Sequence, residues 1–285
     1  MLPVHRPTTS ICCCVRVKVV DFQVASFWFG SPLSCVERVC IQSFLDHGYT
    51  FNLYVLDLTM DVPDGVILHD ARSIYSDEEF QKHPSSRRRA AIYSDIFRIH
   101  LLQKTDHVWV DLDIYCVNPL DLSSDYLFGV VWRNKAVNNC VLRLPKNSLA
   151  LKLILEFLSS EVPLPHWLGA DRIKGLVSKY ETEGQISLYD LPWTTTGPSV
   201  TRWALSSTGE ISRGQHWHTY WPARGFLDPE RAVESYEQPW VRFHHFQGET
   251  RGDLRKHFSG VPPRGSYIDV ICQRHKIDVD RYPVI

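Results

Sequence analysis

Several features that would narrow the class of this protein are missing from its sequence. No apolar run approaches the roughly 18 residues needed to span a bilayer, and the apolar stretch at residues 11–20 is interrupted by Arg16 and Lys18. The net charge is −1, whereas nucleic-acid-binding proteins usually show a clear basic excess. None of the eight cysteines is spaced C-x-x-C, which leaves out the common zinc and redox motifs. These absences favour a cytoplasmic protein that binds no nucleic acid.

The composition and punctuation that are present indicate a globular α/β chain. With 285 residues, 44% of them apolar and 22% charged, the chain can bury a substantial core. Ser34 and Glu37 form the S-x-x-E pattern of a helix capping box, shortly after an apolar run that ends at Gly30. The predicted elements are strands at residues 22–29, 51–56 and 66–69 and a helix at residues 35–47. This order is typical of a parallel α/β unit.

A second predicted helix, at residues 90–102, carries polar side chains on one face. Its apolar residues repeat with a period near 3.6. Ser94, Asp95 and Arg98 fall within one turn, where residues three and four positions apart are neighbours. Such a group is either a solvated ion pair, worth roughly 0.3 kcal/mol, or part of a site formed with the strand that follows. The pattern leaves both interpretations open.

The strand predicted at residues 108–116, VWVDLDIYC, carries two carboxylates within an apolar run. Residues i and i+2 of a strand point to the same face, so Asp111 and Asp113 are expected to converge. Two ionised carboxylates that lie close together repel each other unless a cation sits between them. Open α/β sheets place their ligands at the carboxyl ends of the strands. The stretch therefore predicts a divalent-metal site at such an end.

Both segments resemble a known family. The sequence AIYSDIFR at residues 91–98, followed by VWVDLDIYC, resembles the glycosyltransferases with a DXD sugar-binding region. These include α-1,4-galactosyl- and N-acetylglucosaminyltransferases, yeast-type α-1,6-mannosyltransferases and bacterial capsule or lipopolysaccharide enzymes. The resemblance covers roughly residues 24–250 and is denser in the first half. Further matches are Trp28-Phe-Gly, Asn138-Asn139, Thr196-Gly-Pro and His244-His245-Phe.

The resemblance implies a GT-A (Rossmann-like) α/β fold and a metal-dependent hexosyltransferase. It implies Mn²⁺ or Mg²⁺, a nucleotide-sugar donor expected to be UDP-linked, transfer with retention of configuration, and a saccharide or glycolipid acceptor. Asp113 would be the direct metal ligand, with Asp111 supporting the ion and contacting ribose or sugar. Asp95 and Arg98 would orient the donor sugar. The implied catalytic residues are Asp95, Arg98, Asp111 and Asp113; the implied donor-binding residues are Trp28, Ser94, Asp95, Arg98, Asp111 and Asn139.

A third metal ligand of this kind of site is often a histidine from a C-terminal strand. His244 and His245 lie in a predicted strand at residues 240–246 and would point to opposite faces, so one of the two can serve. The segment at residues 191–198, LPWTTTGP, is either a rigid turn or a loop that stacks on a sugar. The sequence does not nominate a nucleophile; Asp171 and Asp190 would be guesses.

The same motifs permit two other functions. A strand ending in D-x-D also begins the haloacid-dehalogenase phosphatases, but those need a small residue where this chain has Tyr115. A module that binds nucleotide sugars without turnover is the non-enzymatic alternative. The predicted organisation is an extension at residues 1–20, a glycosyltransferase domain at 21–250 and a C-terminal extension at 251–285. The lack of a membrane span in the sequence is compatible with a cytoplasmic enzyme that associates peripherally with the inner membrane.

Overall fold

The computed structural model describes residues 23–30, 32–83, 86–131, 136–217 and 223–285. The N-terminal extension predicted at residues 1–20 lies outside this described part. The strands are β1 Gln23–Trp28, β2 Thr50–Val55, β3 Val66–Asp70, β4 Val108–Val110, β5 Ile114–Cys116, β6 Leu127–Val131, β7 Ala136–Arg143 and β8 Phe243–His245. The helices are α1 Cys35–Asp46, α2 Glu78–Lys82, α3 Arg87–Lys104, α4 Leu149–Leu158, α5 Ala170–Glu183, α6 Val200–Ser207, α7 Gly248–Phe258 and α8 Tyr267–Arg274.

The centre of the structure is a six-stranded sheet with the order β3-β2-β1-β4-β7-β6. The first four strands in this order are parallel, while β7 runs antiparallel to both of its neighbours. Helices cover both faces of the sheet, and the predicted α/β class with a mostly parallel sheet is confirmed. Strands β5 and β8 form a separate antiparallel pair. Within the described ranges, no helix combines the length and the apolar character that crossing a membrane requires.

The two faces of the sheet bury alternate residues of its strands. Ala25 and Phe27 of β1 belong to the core that includes residues of α3, α4 and α6, whereas Val24 packs with Phe44 of α1. Helix α1 begins with the predicted capping box, in which the Ser34 backbone N–H donates to the Glu37 carboxylate at 2.8 Å. The chain can turn back after α1 because Gly48 adopts a positive φ of 80°.

The prediction of one strand at residues 108–116 is wrong. Strand β4 ends at Val110 and a turn follows at Leu112 and Asp113, so β5 begins a different sheet. The Asp111 N–H donates to the Cys140 carbonyl at 2.7 Å, and the Ile114 N–H closes the turn on the Asp111 carbonyl at 3.1 Å. The two carboxylates therefore meet across a turn at the end of β4, where the ladder stops.

The C-terminal residues belong to the same globular body as the sheet. The domain boundary predicted at residue 250 falls inside α7. Leu254 of α7 and Ile268 of α8 are fully buried against Val36 of α1. The Cys35 N–H also donates to the Tyr282 carbonyl at 2.7 Å. Residues 251–285 consequently stabilise the helix and the strand pair that flank the cleft at the carboxyl end of the sheet.

His100 of α3 makes the stability of the fold depend on pH. Its ring stacks on Tyr75 at 4.6 Å, and burial, with a smaller effect of Lys104, lowers its pKa to about 4. Because the unfolded chain takes up this proton near pH 6.5 and the folded chain does so only near pH 4, stability is full above pH 6.5 and falls as pH decreases. Lowering the pH from 7 to 5 should reduce the free energy of unfolding of both proteins. After allowance for partial exposure, we expect this reduction, measured by urea unfolding, to be about 1 kcal/mol smaller in His100→Gln than in wild type. Equal losses in the two proteins would contradict this assignment.

Candidate active site

A cavity of about 580 Å³ opens at the carboxyl ends of β1 and β4. Its walls come from these strand ends, the first half of α3, β7, the segment at residues 193–198 and the start of α7. The residues predicted for the site that line it are Trp28, Ser94, Asp95, Arg98, Asp111, Asp113, Asn139 and His245. Residues from at least four separate parts of the chain therefore share one cleft.

Asp111, Asp113 and His245 meet on one side of this cleft. One ligand atom from each of these side chains lies within 4.8 Å of the other two. His245 Nε2 lies 3.3 Å from Asp113 Oδ1. The three come together because β8 pairs with β5 in a register that sets His245 opposite Ile114, directly after Asp113.

His244 lies on the other side of β8, because successive residues of a strand point to opposite faces. Its Nε2 is 2.9 Å from the Tyr236 carbonyl, and its ring is fully buried. Of the two candidate histidines, His245 is thus the one beside the carboxylates. Tyr115, opposite His244 in the register, is also buried, and its hydroxyl lies 3.0 Å from His275 Nε2. No contact of Tyr115 in the described structure favours the phosphatase alternative.

The pKa values in the cluster are shifted by burial and by the neighbouring charges. Burial alone would raise the pKa of Asp113, but the His245 and Arg251 charges outweigh it and the pKa is lowered. Burial would lower the pKa of His245, yet the Asp113 carboxylate holds it well above its usual value. Burial raises the pKa of Asp111, an effect that Arg98 opposes and Asp113 reinforces. Without a bound cation these shifts favour an ion pair between Asp113 and His245; a cation bound by His245 would take the place of the ring proton.

Arg98 of α3 links the cluster to Asp95. Its guanidinium is 3.1 Å from Asp111 Oδ1 and 3.2 Å from Asp95 Oδ1, and it donates to the Asn139 carbonyl at 2.9 Å. It also lies over the Trp109 ring at 4.6 Å, and the Trp109 indole N–H donates to Asp111 at 2.7 Å. Arg98 is only 6% exposed. It is thus fixed in one orientation by two carboxylates and a carbonyl.

Asp95 is held from the opposite side by the segment at residues 195–199. The Thr196 hydroxyl donates to Asp95 Oδ2 at 3.1 Å. The Gly197 backbone packs so closely that a Cβ at this position would lie 2.4 Å from Asp95 Oδ1. Burial raises the pKa of Asp95 to about 6, with Arg98 opposing that shift. The carboxylate is therefore mostly ionised at neutral pH.

Three predicted residues lie around this network. The Ser94 hydroxyl is 3.5 Å from the Arg98 guanidinium. Asn139 is 4% exposed, and its side-chain nitrogen has no hydrogen-bond partner among the described residues. Trp28, at the end of β1, lies under the Arg251 guanidinium at 5.2 Å. All three line the cleft and are in reach of a ligand bound there.

Arg251 and Glu37 also belong to the site, although the sequence patterns did not predict them there. Glu37 is fully buried and lies 3.1 Å from Arg251 Nη1, while its other oxygen accepts from the Ser34 N–H. Burial raises the pKa of Glu37, and the Arg251 charge opposes the shift. The capping carboxylate of α1 therefore also positions a cation in the cleft. Arg251 lies near the start of α7, which begins shortly after His245. This short distance along the chain from a candidate ligand is the sequence signal that could have identified Arg251.

The cluster of Asp111, Asp113 and His245 suits a divalent cation. Nε2 of His245 lies 3.3 Å from Asp113 Oδ1, so the ring presents a nitrogen to the same point as the two carboxylates. Two carboxylates are hard oxygen ligands that match Mg²⁺ and Mn²⁺. The imidazole of His245 adds a nitrogen ligand of the kind that binds divalent first-row metals. The residues present thus fit the expected metal.

The fold and the cleft define an α/β protein with a candidate divalent-metal site at the carboxyl end of its parallel strands. No protein-family model and no curated protein sequence matches the chain. It is similar to the PaToxG glycosyltransferase, with 18% identity, a TM-score of 0.42, and coverage of 68% of this chain and 73% of that chain. It is also similar to the ligand-free glycosyltransferase domain from the YGT toxin, with 10% identity, a TM-score of 0.43, and coverage of 90% and 94%. Both likenesses are weak, so the assignment of function rests on the site.

Proposed function

We propose that this protein is a metal-dependent glycosyltransferase of the GT-A type. It transfers a sugar from a nucleotide-sugar donor, expected to be UDP-linked, to a saccharide or glycolipid acceptor. The observation that carries the proposal is that Asp111, Asp113 and His245 share one cleft with the fixed pair of Asp95 and Arg98. One group can bind a cation, and the other can bind the hydroxyls of a sugar beside it.

The charge that develops in this reaction is on the departing nucleoside diphosphate. A divalent cation bound at the cluster would neutralise part of that charge without proton transfer. Arg251 supports the same role, because its guanidinium is held at the cleft by Glu37 and Trp28. The start of α7 also lines the cleft at Gly248, and unpaired backbone N–H groups at a helix N-terminus favour phosphate oxygens.

The donor sugar is assigned to the side of the cleft formed by α3 and β7. The Asp95 carboxylate can accept hydrogen bonds from sugar hydroxyls, and Thr196 and Arg98 keep it in place. The unpartnered Asn139 amide is available to donate to a sugar oxygen or to the acceptor. Fixed partners of this kind orient the anomeric carbon without a cost of reorganisation during the reaction.

Retention of configuration is proposed to proceed without a protein nucleophile. Among the described residues that line the cleft, the side-chain carboxylates are those of Asp95, Asp111, Asp113 and Glu37, and each is already engaged. Asp190, one of the two guesses from the sequence, instead forms an ion pair with Lys179 at 2.7 Å. We therefore favour attack of the acceptor on the face that the leaving group departs from, with the departing phosphate oxygen as base.

A donor screen tests the proposal. Release of nucleoside diphosphate is measured with Mn²⁺ across UDP- and GDP-sugars, with and without EDTA. We expect one donor to be hydrolysed slowly in the absence of acceptor, and EDTA to reduce the rate at least about 100-fold, because several kcal/mol of charge stabilisation are lost. Restoration of activity by excess Mn²⁺ is the control for nonspecific effects of the chelator. Donor binding without any release would instead support the non-catalytic alternative, and a rate indifferent to EDTA would contradict metal dependence.

A further inference from the structure

We propose that Trp193 is the platform on which the acceptor binds, and that this acceptor is a saccharide whose ring stacks on the indole. The inference rests on the proposed glycosyltransferase function and adds the acceptor subsite and its chemistry. Trp193 is 60% exposed although it lines the same cleft as the cluster and Asp95. A large aromatic surface left open in this cleft is suited to a ligand with an apolar face.

The backbone beside Trp193 is held in an unfavourable conformation. Thr194 has a φ of 70°, which a β-branched residue rarely adopts. Such conformations persist only where the surrounding structure determines them, and they concentrate at functional sites. Here the Thr195 N–H donates to the Pro192 carbonyl at 3.1 Å, and Arg88 donates to the Leu191 carbonyl. These contacts fix the turn that presents the indole to the cleft.

The position of Trp193 along the chain assigns it to the sugar end of the cleft. The same short segment continues to Thr196, which hydrogen-bonds Asp95, and to Gly197, which packs against it. Trp28 and Arg251 are in contact with each other, and the pairing of β5 with β8 places Asp113 and His245 in the same cleft. The donor diphosphate and nucleoside are assigned to these residues. An acceptor has to reach the anomeric carbon of the donor, so its binding surface lies beyond Asp95, on the side of Trp193.

The neighbouring groups match the two kinds of surface on a sugar ring. The C–H face of a hexopyranose packs on an indole, and its hydroxyls need hydrogen-bond partners around the rim. Thr194 is exposed directly beside the indole and supplies a hydroxyl that both donates and accepts. This combination of one aromatic face and an uncharged hydroxyl favours a saccharide over an acidic or basic peptide as the acceptor.

The test compares Trp193→Ala with Trp240→Ala. Trp240 is a matched control because it is 59% exposed and does not line the cleft. Binding of maltose, lactose and diacetylchitobiose is measured by tryptophan fluorescence and by ligand-observed NMR, and donor hydrolysis without acceptor is measured in parallel. We expect wild type and Trp240→Ala to bind at least one disaccharide, and Trp193→Ala to lose roughly tenfold or more in affinity, as for removal of a stacked aromatic. Trp193→Phe should recover part of the lost disaccharide affinity.

The two readouts separate failure of this inference from failure of the proposed function. Retained donor hydrolysis in Trp193→Ala, with weakened disaccharide binding, supports the acceptor platform. A loss of donor hydrolysis equal to the loss in disaccharide affinity would place the indole on the donor and overturn it. The acceptor assignment would also be overturned if wild type bound none of the disaccharides. It would equally be overturned if the enzyme transferred sugar to protein side chains and Trp193→Ala left that transfer unchanged. A wild type that binds disaccharides but hydrolyses no donor would refute the proposed function alone.

Discussion

The Asp113→Asn variant is expected to retain less than about 1% of wild-type donor hydrolysis. Asp113 combines a pKa held below its usual value with a position 3.3 Å from His245, so it offers an ionised oxygen to a cation at neutral pH. Asparagine keeps the shape but offers only a neutral oxygen. Loss of one anionic ligand at a site that stabilises a departing diphosphate is worth several kcal/mol, and each 1.36 kcal/mol corresponds to about tenfold in rate. Hydrolysis of the best donor at saturating Mn²⁺ provides the measurement.

The same variant should keep its fold. Removal of the Asp113 charge deprives His245 of its partner but also relieves the repulsion on Asp111, whose pKa is raised in part by Asp113. We therefore expect the free energy of unfolding to change by no more than about 1 kcal/mol in metal-free buffer. Asp171→Asn, in the exposed first turn of α5, is the matched control and should be fully active. Unchanged hydrolysis in Asp113→Asn would refute the site.

Gly197→Ala is expected to impair both turnover and stability. A Cβ at this position would lie 2.4, 2.5 and 2.6 Å from the three carboxyl atoms of Asp95. Asp95 has little freedom to move away, because Arg98 and Thr196 hold its two oxygens. Overpacking of this kind costs about 1–3 kcal/mol. We expect kcat/KM for the donor to fall at least about tenfold because the carboxylate proposed to bind the sugar is displaced.

Gly175→Ala is the control for the glycine substitution. Gly175 lies in the interior of α5, where a Cβ would meet no other atom of the described structure within 4 Å, so alanine should stabilise the helix by about 0.5–1 kcal/mol. Chemical denaturation and donor kinetics of the two variants provide the measurement. If Gly197→Ala matched Gly175→Ala in both stability and turnover, the close packing of Gly197 against Asp95 would not be required for function.

Much of the fold could be predicted because its determinants are local in the sequence. The helix predicted at residues 35–47 corresponds to α1 Cys35–Asp46, since a capping box and the glycine that follows act within a few residues. The strand predicted at residues 51–56 corresponds to β2 Thr50–Val55, because a short apolar run bounded by turn residues is also a local signal. The tight order of these elements made a parallel α/β sheet the economical arrangement, and the structure has it.

The details of the site depended on contacts between distant parts of the chain. The predicted strand at residues 108–116 is broken by a turn at Leu112 and Asp113, in which the Ile114 N–H donates to the Asp111 carbonyl, and β5 then pairs with the distant β8. His245, rather than His244, lies with the carboxylates because of the register between β8 and β5. No periodicity or spacing in either segment contains that information.

By itself, the sequence determined the α/β class and the elements up to β3, and its resemblance to the glycosyltransferases implied that Asp95, Arg98, Asp111 and Asp113 form one site. Only the tertiary structure decided which groups surround them: Gly197 packs against Asp95, and Glu37 pairs with Arg251 in the same cleft. The physical reason is range. Capping, turn formation and periodic burial are set by neighbours along the chain, whereas burial of a charge and its pairing are set by whichever segment the packing brings beside it.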